Sequence, residues 1–113
     1  MSIKIKGLDE FKKKLDEMQE GLTLPALQHW ANKIEMDAKG LAIRIPSEEI
    51  RYSIHVGVVE IKPKEFEIKA DAKKEAFPFI IEATENNLKE MPLTTKLLFE
   101  GFLKQMQEEI KNK

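Results

Sequence analysis

The chain contains no cysteine, so disulfides, thiol chemistry and cysteine-ligated metal are all excluded. Arginine is nearly absent as well: Arg44 and Arg51 are the only two, and lysine carries almost all the positive charge. The guanidinium fork is the group best suited to phosphates and base edges, so its scarcity argues against nucleic-acid binding. A basic excess is also missing, since 19 Lys+Arg stand against 20 Asp+Glu for a net charge of −1. Neutralising phosphates supplies most of a nucleic-acid binder's affinity, and this balance does not provide it. The longest apolar run, Phe77 to Ile81, is interrupted by Pro78, which rules out a membrane-spanning helix by sequence. The opening Met1-Ser-Ile-Lys-Ile-Lys alternates and does not form an apolar block, so no secretory signal is expected. The expected location is the cytoplasm of the host cell.

What is present fits one domain spanning 1–113. A hydrophobic fraction of 42% is enough to build a single core and makes disorder an unsuitable description. Ile3 and Ile5 alternate with lysines as a short strand, ended by Gly7. Leu8, Phe11, Leu15 and Met18 then recur at helical spacing, with Gly21 closing that helix. Thr23 as N-cap and Pro25 in the first turn predict a second helix, whose stripe is Leu27, Ala31, Ile34, Ala38 and Leu41. Pro46 lies beyond its end.

From Ile50 the period becomes two. Ile50, Tyr52, Ile54, Val56 and Val58 are expected on one face of a strand, with Arg51, Ser53, His55 and Gly57 on the other. Lys62-Pro63-Lys64 reads as a turn, and Phe66, Ile68 and Ala70 alternate with Glu65, Glu67 and Lys69 to complete a hairpin. Helical spacing returns at Phe77, Ile80, Ile81, Thr84, Leu88 and Met91; Pro78 favours a helix starting near Phe77, with a short extended start over 72–81 as the alternative. After Pro92, a last amphipathic helix carries Leu98, Phe99, Phe102, Leu103, Met106 and Ile110. Its apolar arc is wider than one contact requires, which predicts surplus surface for oligomerisation or a partner. The expected class is α+β, in the order β-α-α-β-β-α-α, a small antiparallel sheet with helices packed on one face.

Residues that carry chemistry are scattered. His29 and His55 belong to no His-x3-His or HExxH spacing, and no EF-hand pattern occurs, so neither metal nor cofactor is expected. Glu48 and Glu49 are adjacent, whereas acid–base catalysis needs carboxyls facing across a cleft with one in an apolar setting. No nucleophile elbow surrounds Ser47 or Ser53, and the five glycines form no phosphate loop. No catalytic residue is assigned. One enzymatic alternative is a small ribosome-dependent RNase toxin, which cuts messenger RNA with Lys, Arg, His and Tyr on a basic sheet face. Arg51, His55 and Tyr52 fit its composition, but strand alternation sets Tyr52 opposite the other two and the net charge is wrong.

Several segments together resemble a known family. Ile3-Lys-Ile-Lys-Gly-Leu-Asp-Glu-Phe-Lys-Lys-Lys-Leu15 is similar to the opening of the gene-product-ten-like proteins of long-tailed phages. These are minor structural proteins described as tail-completion or head–tail joining components. Ala38-Lys39 matches the pair that ends the family's long helix. Pro46, Ile50-Arg51 and Ser53-Ile54 occupy the places of its following loop and strand, with Glu48-Glu49 where the family favours Thr-Gly. Phe79-Ile-Ile-Glu82-Ala83-Thr84, Met91-Pro92 and Leu97-Leu98 match later segments, except that Ala83 replaces a glycine and resists positive φ there.

The resemblance implies an architectural role without bond-making: copies associating with themselves as a ring and with neighbouring virion proteins, and neither nucleic acid nor membrane as partner. The assembled location would be the virion. A ring needs two different, complementary patches on each chain. The surfaces implied are the loop with Pro46, Glu48, Glu49 and Ile50, the hairpin tip at Pro63, and the segment with Glu82, Thr84 and Pro92. A host-encoded adaptor of the same fold is the third reading.

Overall fold

The computed structural model describes residues 2–6, 23–62 and 65–111. The chain is an α+β protein, with helices on one face of a three-stranded antiparallel sheet ordered β1-β3-β2. Strands β1 (Ser2–Lys6), β2 (His55–Lys62) and β3 (Glu65–Asp71) build the sheet. Helices α1 (Leu24–Leu41), α2 (Glu48–Tyr52), α3 (Phe77–Leu88) and α4 (Leu93–Lys111) complete the described elements. The helix expected over Leu8 to Met18, and Pro63 at the hairpin tip, lie outside the described residues.

Helix α1 starts as its sequence dictates. Thr23 has extended backbone angles, and its hydroxyl accepts from the Ala26 amide at 3.3 Å, with Pro25 in the first turn. Leu27, Ala31, Ile34 and Ala38 are its buried stripe. A 3-10 turn over Ala42–Arg44 follows, and Ile45 is extended (φ −93°, ψ 123°), as a residue before proline must be.

The strand expected from Ile50 begins five residues later. Glu48–Tyr52 is instead a short helix, because Ser47 caps it: the Ser47 hydroxyl accepts from the Ile50 amide at 3.4 Å. Glu48 and Glu49 sit in that first turn, where the partial positive charge of the helix start favours carboxylates. Tyr52 consequently leaves the predicted inward face and is exposed, while Ile54, Val56 and Val58 are buried as expected.

β3 is central. Ile68 lies opposite Ile5 of β1 and Val58 of β2, and Ala70 opposite Ile3 and Val56. An irregularity between Glu60 and Lys62 displaces Ile61 from the ladder. Phe66, Ile68 and Ala70 are buried.

Helix α1 lies beside β2, α4 beside β1, and α3 touches both helices. Pro78 falls in the first turn of α3, so the helix begins at Phe77 as predicted. α1 and α3 run antiparallel: Lys33 pairs with Glu90 at 2.8 Å, and the buried Asn87 amide donates to Asp37 at 2.8 Å. Among the described residues the largest core side chains are Phe77, Phe99 and Phe102, the last two meeting edge to face at 6.2 Å.

The surplus apolar surface predicted for the last helix at Leu98, Phe99, Phe102 and Leu103 is taken up by the core. Leu98, Phe99, Phe102 and Met106 are buried and Leu103 is half-buried, because α4 must face α3 and β1 together. Among the described residues, the exposed large apolar side chains are Leu93 at the start of α4 and, outside that helix, Met36, Ile43, Tyr52, Val59 and Ile61.

Candidate functional site

The sequence candidates that gather into one place are those between Pro46 and Ile50, at the corner between α1 and β2. The Ala42–Arg44 turn packs against α2, and α2 packs against the 3-10 turn Lys74–Ala76 that follows β3. Three short interactions hold this corner. Glu49 meets the Lys73 ammonium at 2.7 Å. The Ser53 hydroxyl donates to the Ile50 carbonyl at 2.6 Å and accepts from the Lys73 amide at 3.0 Å. Lys73 therefore ties the corner through both side chain and backbone. Hydrogen bonding to Lys73 holds the Glu49 carboxyl below its ordinary value, and the same bond raises Lys73.

Glu48 and Glu49 diverge, as adjacent residues should. Glu48 faces Arg51 at 3.9 Å, one helical turn away. The Arg51 guanidinium also lies over the Tyr52 ring, 5.1 Å from its centroid. Pro46 and Glu48 are exposed, and Ile50 is half-buried against the core. The apolar side chains most open to solvent here were not among the interaction candidates read from sequence: Ile43 is 66% exposed and Tyr52 60%. For Ile43 the available signal was its position outside the stripe that ends at Leu41. Tyr52, named only under the toxin alternative, was missed as a contact surface because strand alternation set it on the apolar face.

The remaining candidates separate. Glu82 is exposed on α3. Ala83 is buried in that helix, so no positive φ is needed where the resembled family has glycine. Thr84 is corrected from surface candidate to core residue: it is fully buried, and its hydroxyl donates to the Ile80 carbonyl at 2.7 Å, the usual escape for a threonine inside a helix. Pro92 is exposed at the α3–α4 turn, and its carbonyl accepts from the Lys96 amide at 2.8 Å, opening α4.

The three toxin-like residues adopt an arrangement other than the predicted one. Arg51 and Tyr52 are neighbours on α2 and stack on each other instead of lying on opposite sheet faces. His55 is exposed at the start of β2, with Nδ1 3.8 Å from a Glu35 carboxylate oxygen. Among the described residues no group of three or more His, Cys, Asp or Glu is placed to hold a metal ion. No described helix is long and apolar enough to cross a membrane.

No family model, curated protein or solved structure matches the chain. What the corner can do chemically is make contacts. It offers exposed apolar side chains and charges of both signs on a segment fastened at several points.

Proposed function

We propose that this chain is a non-enzymatic assembly protein of a phage-like particle, a tail-completion or head–tail joining component that works through protein–protein contacts. The sequence resemblance described above names the class. The observation that carries the reading is the exposure of Ile43 and Tyr52 on either side of Pro46, on a corner pinned by Lys73. Apolar side chains held out on an ordered segment, flanked by polar residues, are the usual make-up of a docking patch. The fold supports the same role, since its exposed loops lie between elements with a continuous core.

The test is native mass spectrometry of the purified chain, alone and mixed with portal and tail-tube proteins from neighbouring genes. A complex is expected, and Ile43→Asp with Tyr52→Asp should abolish it while the circular dichroism spectrum stays unchanged. Efficient RNA cleavage by the purified protein would refute the architectural role, as would a complex indifferent to both substitutions.

A further inference from the structure

β2 sits at one edge of the sheet, so only one side of its backbone pairs with β3. On the other side, two amides that a further strand would use are already taken by side chains. The Val56 amide donates to Glu35 at 2.8 Å and the Val58 amide to Gln28 at 3.1 Å. Both acceptors come from α1, which runs beside this edge. Gln28 and Glu35 are two helical turns apart, about 10.5 Å, against roughly 7 Å between alternate strand residues. Side-chain reach closes the difference.

Each acceptor is itself held. The Gln28 amide nitrogen donates to Asn32 at 2.8 Å, and the second Glu35 oxygen meets Lys39 at 3.2 Å. α1 thus imitates a neighbouring strand with two side chains.

We propose that Gln28 and Glu35 form a guard that keeps the β2 edge closed to strand addition, and that the occupant excluded is a second copy of this chain. The composition of β2 explains the need. Its eight residues, His-Val-Gly-Val-Val-Glu-Ile-Lys, include four β-branched side chains, and Glu60 and Lys62 cancel in charge. Such a segment pairs readily with itself when it lies on an edge. Antiparallel pairing about a two-fold axis presents the same edge from each copy. Val59 and Ile61, 42% and 46% exposed, would then be covered by their counterparts.

This inference stands independently of the proposed assembly role, which uses the corner and not the edge. The test compares Gln28→Leu/Glu35→Leu with Gln28→Glu and Glu35→Gln, which each keep an acceptor oxygen. Sedimentation velocity over a concentration series should show self-association of the double-leucine variant beyond that of the native chain. The two acceptor-keeping variants should match the native chain. Adding Val59→Lys to the double-leucine variant should reverse the effect. A folded double-leucine variant that sediments as the native chain does at every concentration overturns the proposal.

Should that variant fail to fold, amide exchange on the native chain and the Gln28→Leu single variant decides. Both Val56 and Val58 amides should be protected in the native chain. Gln28→Leu should speed Val58 by about tenfold while leaving Val56 within about twofold. Exchange of the native Val56 and Val58 amides at the rate of unstructured chain overturns it.

Discussion

Replacing Asn87 by alanine should destabilise the fold by about 2 kcal/mol, although the residue lies on a helix where alanine is the better former. The side chain is 2% exposed, and its amide nitrogen donates twice, to Asp37 of α1 and to the Ala83 carbonyl one turn back, both at 2.8 Å. The bond to Ala83 is neutral and contributes about 1 kcal/mol net. The bond to Asp37 is charge-assisted, but that carboxylate is exposed and water replaces the lost donor, which brings its share down to about 1 kcal/mol as well. Removing the amide group leaves a small void costing about 0.5 kcal/mol, offset by a similar gain in helix propensity. With a urea dependence of about 1.5 kcal/mol per molar, the unfolding midpoint should fall by about 1.3 M. A double-mutant cycle with Asp37→Ala isolates the interhelix bond and should return a coupling of about 1 kcal/mol. Additivity of the two substitutions, within about 0.3 kcal/mol, would mean that Asn87 does not link α1 to α3 and that the antiparallel pairing is held by packing alone.

The exposed pairs Lys33–Glu90 and Lys73–Glu49 should contribute a constant amount to stability through the neutral range. Lys33 lowers Glu90, and Lys73 lowers Glu49, from the ordinary 4.5, so their contribution is present above that value and lost as the pH falls through the lowered ones. Lys33 and Lys73 are raised above 10.5 by the same partners, so their contribution is present below it and lost as the pH climbs through the raised values. The difference in urea midpoint between the native chain and a Glu49→Gln/Glu90→Gln variant should therefore be flat between these limits, and a step in that difference near neutrality would contradict the assignment. Ser47→Ala should cost about 1 kcal/mol through the lost cap. It should also raise the exchange rate of the Ile50 amide, since a helix as short as α2 does not persist without one.

The residues that announced their structure are those where local signals agree. Thr23, Pro25 and the Leu27–Ala38 stripe name the start and buried face of α1 together, and Pro78 dates the start of α3 to Phe77. Between Glu48 and Tyr52 two signals compete. Alternation over so short a run suits a strand, whereas Ser47 followed by two glutamates is a helix start, and the cap prevails. The error moved Tyr52 from core to surface, and with it the most exposed aromatic of the corner. Thr84 misled for a different reason: a hydroxyl reads as polar in sequence, but the turn before it accepts its proton in full burial. Gln28 and Glu35 carry a fainter trace, one heptad apart beside the buried stripe. Their acceptor role became visible only when β2 was placed against α1, because it is defined by a strand more than twenty residues away.

The short helix also changes how the catalytic alternative weighs against assembly. In a strand, Arg51 and His55 would share a face and present two proton-bearing groups to a phosphate. In the helix, the Arg51 guanidinium faces Glu48 and covers Tyr52, so contact with a phosphodiester would require it to leave a carboxylate and a ring together. His55 stands beside Glu35, whose carboxylate repels the same phosphate. With a net charge of −1 there is no long-range attraction to compensate. The same contacts serve a docking patch well: stacking orders Tyr52 before any partner arrives, so less side-chain freedom is lost on association. Arg51→Ala separates the two roles, because an assembly surface should lose affinity through a mobile Tyr52 and recover it in Arg51→Lys only in part, whereas an RNase should lose turnover.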